Sequence, residues 1–187
     1  YFRLAESVAG DDYERAKSLL GIGNVYQGRS DLEQAEHAHD KALQLIGRSR
    51  PKTLLGKSWR TMVAVASTLL LPNSWHRARS ETARKIHELE TAIYMSMNLY
   101  VQDRAMPVES LLMLCWTSRS ALRAGGKPYQ AVAATAAATW TTLIGLERRG
   151  QQFLDRSLHL AEELHDMELK ANWLGWSAFS QMAANNL

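Results

Sequence analysis

The sequence is 187 residues long, enough for one ordinary domain or one run of repeats. Its 46% hydrophobic and 22% charged residues, with a net charge of +3, are the balance of a soluble globular protein. The longest apolar run, Met62–Leu71, falls short of the roughly 20 residues that span a bilayer, and a lone cysteine, Cys115, excludes an internal disulfide.

Apolar residues recur with the 3.6-residue helical period almost throughout, and period-2 alternation is nearly absent. Helices are predicted at 1–9, 13–28, 31–46, 53–71, 80–101, 106–124, 128–145, 148–165 and 168–185. The opening "YFRLAESVAG" reads as the tail of a preceding second helix and lacks the basic start and apolar middle of a signal peptide. With one thiol in the chain, the expected setting is reducing and cytoplasmic. Asp31 is placed to cap the helix at 31–46, and Pro107 and Pro128 sit near first turns, where a missing N–H costs nothing. The connections are short, so neighbouring helices are expected to run antiparallel.

The helix at 13–28 contains "LLGIGNVYQG" (19–28), three glycines that suit either a phosphate-cradling loop or close helix packing. A dinucleotide fingerprint needs G-x-G-x-x-G after a strand. Here Tyr26 stands where the third glycine belongs, and "DDYERAKSLL" before it is helical. Packing is the reading adopted. The stretch from Leu19 to Leu45 has the spacing of a tetratricopeptide repeat, with Leu19, Ile22, Gly23 and Tyr26 in the slots of W-x₂-L-G-x₂-Y. Ala35 and Ala42 follow on one face of the second helix, and Gly23, Ala35 and Ala42 are expected to form the helix–helix contact. Ser30 replaces the usual glycine of the turn, and His39 takes an aromatic slot.

Between Lys41 and Ser80 the chain carries eight basic residues and no acid, while the remainder carries 14 basic and 19 acidic residues. A basic surface is predicted from Arg48, Arg50, Lys52, Lys57 and Arg60, facing an acidic protein, a nucleic acid or an anionic membrane. "LLGKS" (54–58) imitates the end of a P-loop, but Pro51 stands in place of its first glycine and no strand precedes it. The helix at 53–71, flanked by Trp59 and Trp75, has no clear partner. Packing its apolar side inward with the basic residues in water is preferred over a membrane-surface role.

Weaker copies of the repeat follow, with Met97 and Asn98 then Ser110, Leu114 and Thr117, and with Ala137 and Ala138 then Gly150, Leu154 and Ser157. A last first helix holds Ala171, Leu174, Gly175 and Ala178. The glycine-like slot falls at 23, 98, 138 and 175, at intervals of 75, 40 and 37. The fold class is therefore all-α, a right-handed α-solenoid of TPR-like antiparallel hairpins. Its single domain, 1–187, has repeats at about 13–46, 80–124, 128–165 and 168–187 and an irregular linker helix at 53–71. Helix 168–185 has no second helix after it, so the chain is expected to be a piece of a longer solenoid, with self-association through its free ends as one outcome.

No catalytic or metal-binding constellation emerges. The histidines 37, 39, 76, 87, 159 and 165 form no H-x₃-H pair, one cysteine cannot build a thiolate site, and no Gly-x-Ser-x-Gly elbow is present. Cys115 reads as a buried small hydrophobe, and no cofactor is expected.

In "AKSLLGIGNVYQGRSDLEQAEHAHDKALQL", "IGRSRP", "ELETAIYMSMN" and "SALRAGGKPYQAVAATAAATW…IGLERRGQQFLDRSLHLAEELHD", most of the chain resembles the tetratricopeptide-like C-terminal region of bacterial multidomain proteins with predicted ATPase or nucleotide-cyclase-type regulatory parts. The resemblance implies a regulatory or partner-binding segment whose ATPase and cyclase residues lie elsewhere. First helices of such repeats line a concave groove. By slot, that groove presents Lys17, Leu20, Asn24 and Gln27, then Met95, Leu99 and Gln102, then Thr135, Thr139 and Thr142, and finally Asn172, Trp176 and Phe179. The expected function is a non-catalytic scaffold for a protein, a peptide or other domains of its own chain, with no nucleic-acid partner. The alternative is a repeat domain that senses a small-molecule effector, as in helical-repeat transcription regulators.

Overall fold

A computed structural model describes residues 10–70 and 78–165. Among them every regular element is an α-helix: α1 (Asp12–Gly28), α2 (Leu32–Leu45), α3 (Leu54–Leu70), α4 (Glu81–Asp103), α5 (Pro107–Ala124), α6 (Lys127–Leu143) and α7 (Glu147–Glu163). The helices expected at 1–9 and 168–185, and the repeat at 168–187, lie outside the described residues. No described helix is long and apolar enough to cross a membrane.

The boundaries follow from local chemistry. Asp11, Asp31 and Ser80 each turn a side-chain oxygen onto a backbone N–H of the first turn of α1, α2 and α4, satisfying donors that a helix start leaves free. Pro107 and Pro128 occupy first-turn positions of α5 and α6, where no N–H is needed.

Helices pack mainly in chain order: α1 on α2, α4 on α5, α6 on α7, with α5 also against α6 and both α1 and α2 against α4. The exception is α3, which packs on α5. The core runs along these contacts through Leu43, Ile93, Tyr94, Met97, Tyr100, Trp116 and Trp140. Trp140 is buried, its indole N–H donated to Ser118 Oγ at 3.2 Å. The alanine-rich α6 is buried on nearly all sides between α5 and α7.

The three hairpins share one turn. In each, the residue after the loop's first positions adopts a left-handed backbone: Ser30 (φ 60°), Ala105 (φ 52°) and Gly145 (φ 81°). Around it the same two bonds recur, one spanning three residues (Ser30 N–Gln27 O, Ala105 N–Gln102 O, Gly145 N–Thr142 O) and one spanning five (Asp31 N–Tyr26 O, Met106 N–Val101 O, Leu146 N–Thr141 O). Each left-handed residue lies seven positions after 23, 98 or 138, so backbone geometry repeats in step with the slots read from sequence.

The slots mark close contacts between paired helices. A Cβ built on Gly23 would overlap the His39 imidazole, at 2.5 Å from Cδ2. Gly23 thus faces His39, which lies between Ala35 and Ala42 on the same buried face of α2; all three α2 residues are fully buried. His39 stacks nearly parallel on Tyr100 of α4 (centroids 5.9 Å apart, planes 7° apart), and its Nε2 lies 3.3 Å from Asn24 Oδ1 as the donor of that bond. Burial holds its pKa down at about 4, against a smaller opposing pull from the Leu20 backbone, so at neutral pH it packs as an uncharged ring. In the second pair, Ser110 Oγ donates to Asn98 Oδ1 at 2.8 Å. In the third, a Cβ on Gly150 would meet Ala138 O at 3.2 Å and Thr141 Oγ1 at 3.3 Å.

Gly23→Ala is expected to destabilise the protein by about 1–3 kcal/mol through overpacking against His39, although alanine is the better helix former by about 1 kcal/mol. Urea denaturation measures this, and in a His39→Ala background the cost should disappear. Ser30→Gly should raise stability by about 1 kcal/mol in the same assay, because a left-handed backbone strains any L-residue.

Candidate functional site

The basic window is not a free surface. Arg50, in the α2–α3 linker, pairs with Glu36 and with Asp40 (2.9 Å) of α2. Glu36 also takes Arg104, just past α4, at 2.8 Å. Burial raises the Glu36 pKa, but the hydrogen bonds and charges of Arg50 and Arg104 outweigh it and hold the carboxyl below its ordinary value. Lys57 reaches Glu109 of α5 at 3.5 Å. Arg48 and Arg60 both turn to Glu90 of α4. Of the five predicted surface cations only Lys52 is exposed.

Glu90 is 5% exposed and its two oxygens are fully used. Oε1 accepts from Arg60 Nη2 at 2.9 Å and from Tyr94 Oη at 3.2 Å. Oε2 takes His87 Nδ1 at 2.9 Å and lies 3.1 Å from Ser120 Oγ, with Arg48 Nε at 3.6 Å. Desolvation pushes its pKa up, yet the His87 bond and the charges of Arg48 and Arg60 win and hold it below the usual carboxylate value. Arg60 also donates to Ser49 O and to Tyr94 Oη, and its guanidinium lies over the rings of Trp116 (5.0 Å) and Tyr94 (5.4 Å). Trp116 in turn donates to Thr61 Oγ1 of α3 at 3.1 Å. These bonds, with the apolar contact at Ala64, place α3 on α5.

That placement encloses a cavity of about 570 Å³ between the α2–α3 linker, α3, α4 and α5. Arg48, Arg60, Arg119 and Arg123 line it, with Glu90 as the sole acid among the described residues, and Trp59 and Trp116 supply aromatic walls. Sequence reasoning missed Arg119, Arg123, Glu90 and His87 as a group. The signals were there in R-x₃-R and H-x₂-E, spacings that put both members on one helical face, but nothing in the sequence said those faces meet.

The apolar residues of α3 divide: Val65 and Leu69 pack against the core, in line with the sequence reading, whereas Leu54, Leu55, Trp59, Met62 and Leu70 are exposed and Arg60 turns inward. Its most buried residues are small, Ala64, Ser67 and Thr68, and Val65 and Leu69 flank them against the core. Trp75 lies outside the described residues.

The predicted groove residues separate. Met95 and Leu99 of α4 and Thr135 of α6 come together with Asn98, Thr117 and Val132 around a depression of about 410 Å³. The Thr117 hydroxyl is buried among its lining residues without a hydrogen-bond partner among the described residues. Lys17 and Asn24 are exposed on α1 and Gln27 is half-buried there, whereas Leu20 packs against the core. Gln102 is exposed. Thr139 is buried and, like Thr135 and Thr142, gives its hydroxyl proton to a carbonyl of its own helix. Asn172, Trp176 and Phe179 lie outside the described residues.

The sequence matches no family model, and comparison with curated proteins and with solved structures gives no match.

Glu90→Gln is expected to cost about 3 kcal/mol at pH 7, the order seen when one member of a buried ion pair is removed. Because the folded pKa of Glu90 is depressed, the stability it contributes is complete above the ordinary carboxylate value of 4.5 and is lost as pH falls through the folded value. Urea midpoints measured from pH 7 to pH 3 should therefore decline less steeply below pH 4.5 in the variant than in the parent protein.

Proposed function

We propose that this chain is a non-catalytic binding module: a right-handed solenoid of TPR-like hairpins, α1–α2, α4–α5 and α6–α7, with α3 as an insertion docked on α5. The shared left-handed turn at 30, 105 and 145, in register with the small-residue slots, supports the repeat reading. Its work is to hold a peptide, or a segment of another domain of its own protein, in a reducing cytoplasmic setting. A role within a larger ATPase or cyclase-type regulator rests on the sequence resemblance alone.

The observation that carries the binding reading is the depression between α4, α5 and α6. Met95 and Leu99 are large apolar side chains left 43% and 54% exposed at its edge, and the Thr117 hydroxyl in its lining lacks a partner among the described residues. Apolar walls around one unsatisfied polar group are the usual make-up of a recognition pocket, and buried polar atoms without partners call for an occupant. The non-catalytic reading is supported by the state of the reactive groups. The Glu90 oxygens are already saturated, and burial pushes the Cys115 thiol up to about 12, far from a thiolate at neutral pH.

Peptide display against the intact chain tests this reading. Enriched peptides should carry apolar anchors, and Leu99→Glu should weaken them by at least about tenfold while helicity is retained. Failure to enrich any peptide, binding indifferent to Leu99→Glu and Met95→Lys, or nucleotide hydrolysis by the purified chain would count against it.

A further inference from the structure

The cavity between α3, α4 and α5 holds more positive charge than its own acid can balance. Four guanidinium groups line it and one carboxylate faces them. Glu90 already serves Arg60 through a hydrogen bond, and Arg48 stays at 3.6 Å with its buried Nε–H unsatisfied. The side chains of Arg119 and Arg123, one turn apart on α5, make no hydrogen bond or ion pair to a described residue. Burial first, then the charges of Arg123 and Arg60, depresses the pKa of Arg119. A concave site of this kind concentrates field and draws anions.

The donors converge from three directions: the α2–α3 linker through Arg48, α3 through Arg60, and α5 through Arg119 and Arg123. A single carboxylate is planar and carries one charge. A phosphate monoester carries about −1.5 to −2 at pH 7 and offers three acceptor oxygens spread in space, which suits guanidinium forks arriving from several sides. The walls add a second requirement. The Trp116 face is covered by Arg60, whereas Trp59 lines the cavity with 65% of its surface in water. An indole left open beside a cationic pocket is a stacking platform for a flat ring.

We propose that this cavity binds a phosphorylated small molecule carrying a flat ring, with the phosphate held by Arg119, Arg123 and Arg48 and the ring on Trp59. The site is separate from the Met95–Leu99 groove and does not depend on it. It supplies a ligand chemistry for effector sensing, because an occupant would bridge α3 and the α2–α3 linker to α5.

Thermal unfolding of the intact chain, at constant ionic strength, tests this with AMP, ADP, pyrophosphate, adenosine and succinate as probes. AMP or ADP near 100 times Kd should raise Tm by about 5 °C or more. Pyrophosphate should give a smaller rise, and adenosine and succinate none. Arg119→Gln/Arg123→Gln should abolish the rise, with Arg119→Gln alone as the probe if the double variant does not fold. Trp59→Ala should weaken AMP about tenfold and leave pyrophosphate unchanged, consistent with the worth of one stacked base. Leu99→Glu should leave every shift intact, which separates this site from the groove. No rise with any phosphate at millimolar concentration, an equal rise in the arginine variants, or succinate acting as strongly as AMP would overturn the proposal. A nucleotide response indifferent to Trp59→Ala would overturn the ring assignment.

Discussion

The buried carboxylate of Glu90 is the constraint on which the irregular half of this structure depends. An ionised group removed from water is tolerated only when its lone pairs are occupied. Here they are filled by Arg60, Tyr94, His87 and Ser120. Those partners come from α3, α4 and α5, so satisfying one charge positions three helices. The rest of the docking of α3 is modest: small residues, Val65 and Leu69 against the core, and the Trp116–Thr61 bond. The cavity lies beside this cluster, bounded by Arg48 and Arg60, which turn to Glu90, and by Arg119 and Arg123 of α5.

The regular half is governed by backbone geometry and side-chain size. Three hairpins close through the same turn, with a left-handed residue at a constant offset from the slot where the paired helices come close. Nature of the side chain varies at both places. Glycine supplies the conformation at 145 and serine and alanine adopt it at 30 and 105, and the same two bonds close α2 at Gly47, so the turn is a helix ending that the hairpins reuse. The close contact is likewise met in different ways: a glycine against an imidazole, an asparagine against a serine hydroxyl, and an alanine carbonyl against a glycine.

Polar groups in both halves are met locally and across helices. On α6 the threonine hydroxyls reach carbonyls of their own helix, and Thr135 and Trp140 also meet Ser157 of α7 and Ser118 of α5. On α3 Ser67 and Thr68 bond their own helix, whereas Arg60 and Thr61 reach α4 and α5. The acid-free window from Lys41 to Ser80 finds its counter-charges in Glu36, Asp40, Glu90 and Glu109, which all lie outside it in sequence. In the cavity, the charge beyond what Glu90 pairs comes from Arg119 and Arg123, two cations that the window does not contain.

Among the described residues, helix positions, caps and the slots at 23, 98 and 138 were legible, because they depend on neighbours within a few positions: apolar period, Asp31 before a helix, Pro107 and Pro128 in first turns. The packing role of Gly23 was also readable, but its partner was not: the contact is with His39, flanked by the two alanines expected to make it. The direction in which α3 faces, the neutralisation of the basic window and the gathering of Arg119, Arg123 and Trp59 around one cavity were decided by tertiary structure alone. Hydrophobic period says which residues share a face. Which faces meet is settled by the cost of burying Glu90 unpaired, an energy that exists only once helices distant in sequence have come together.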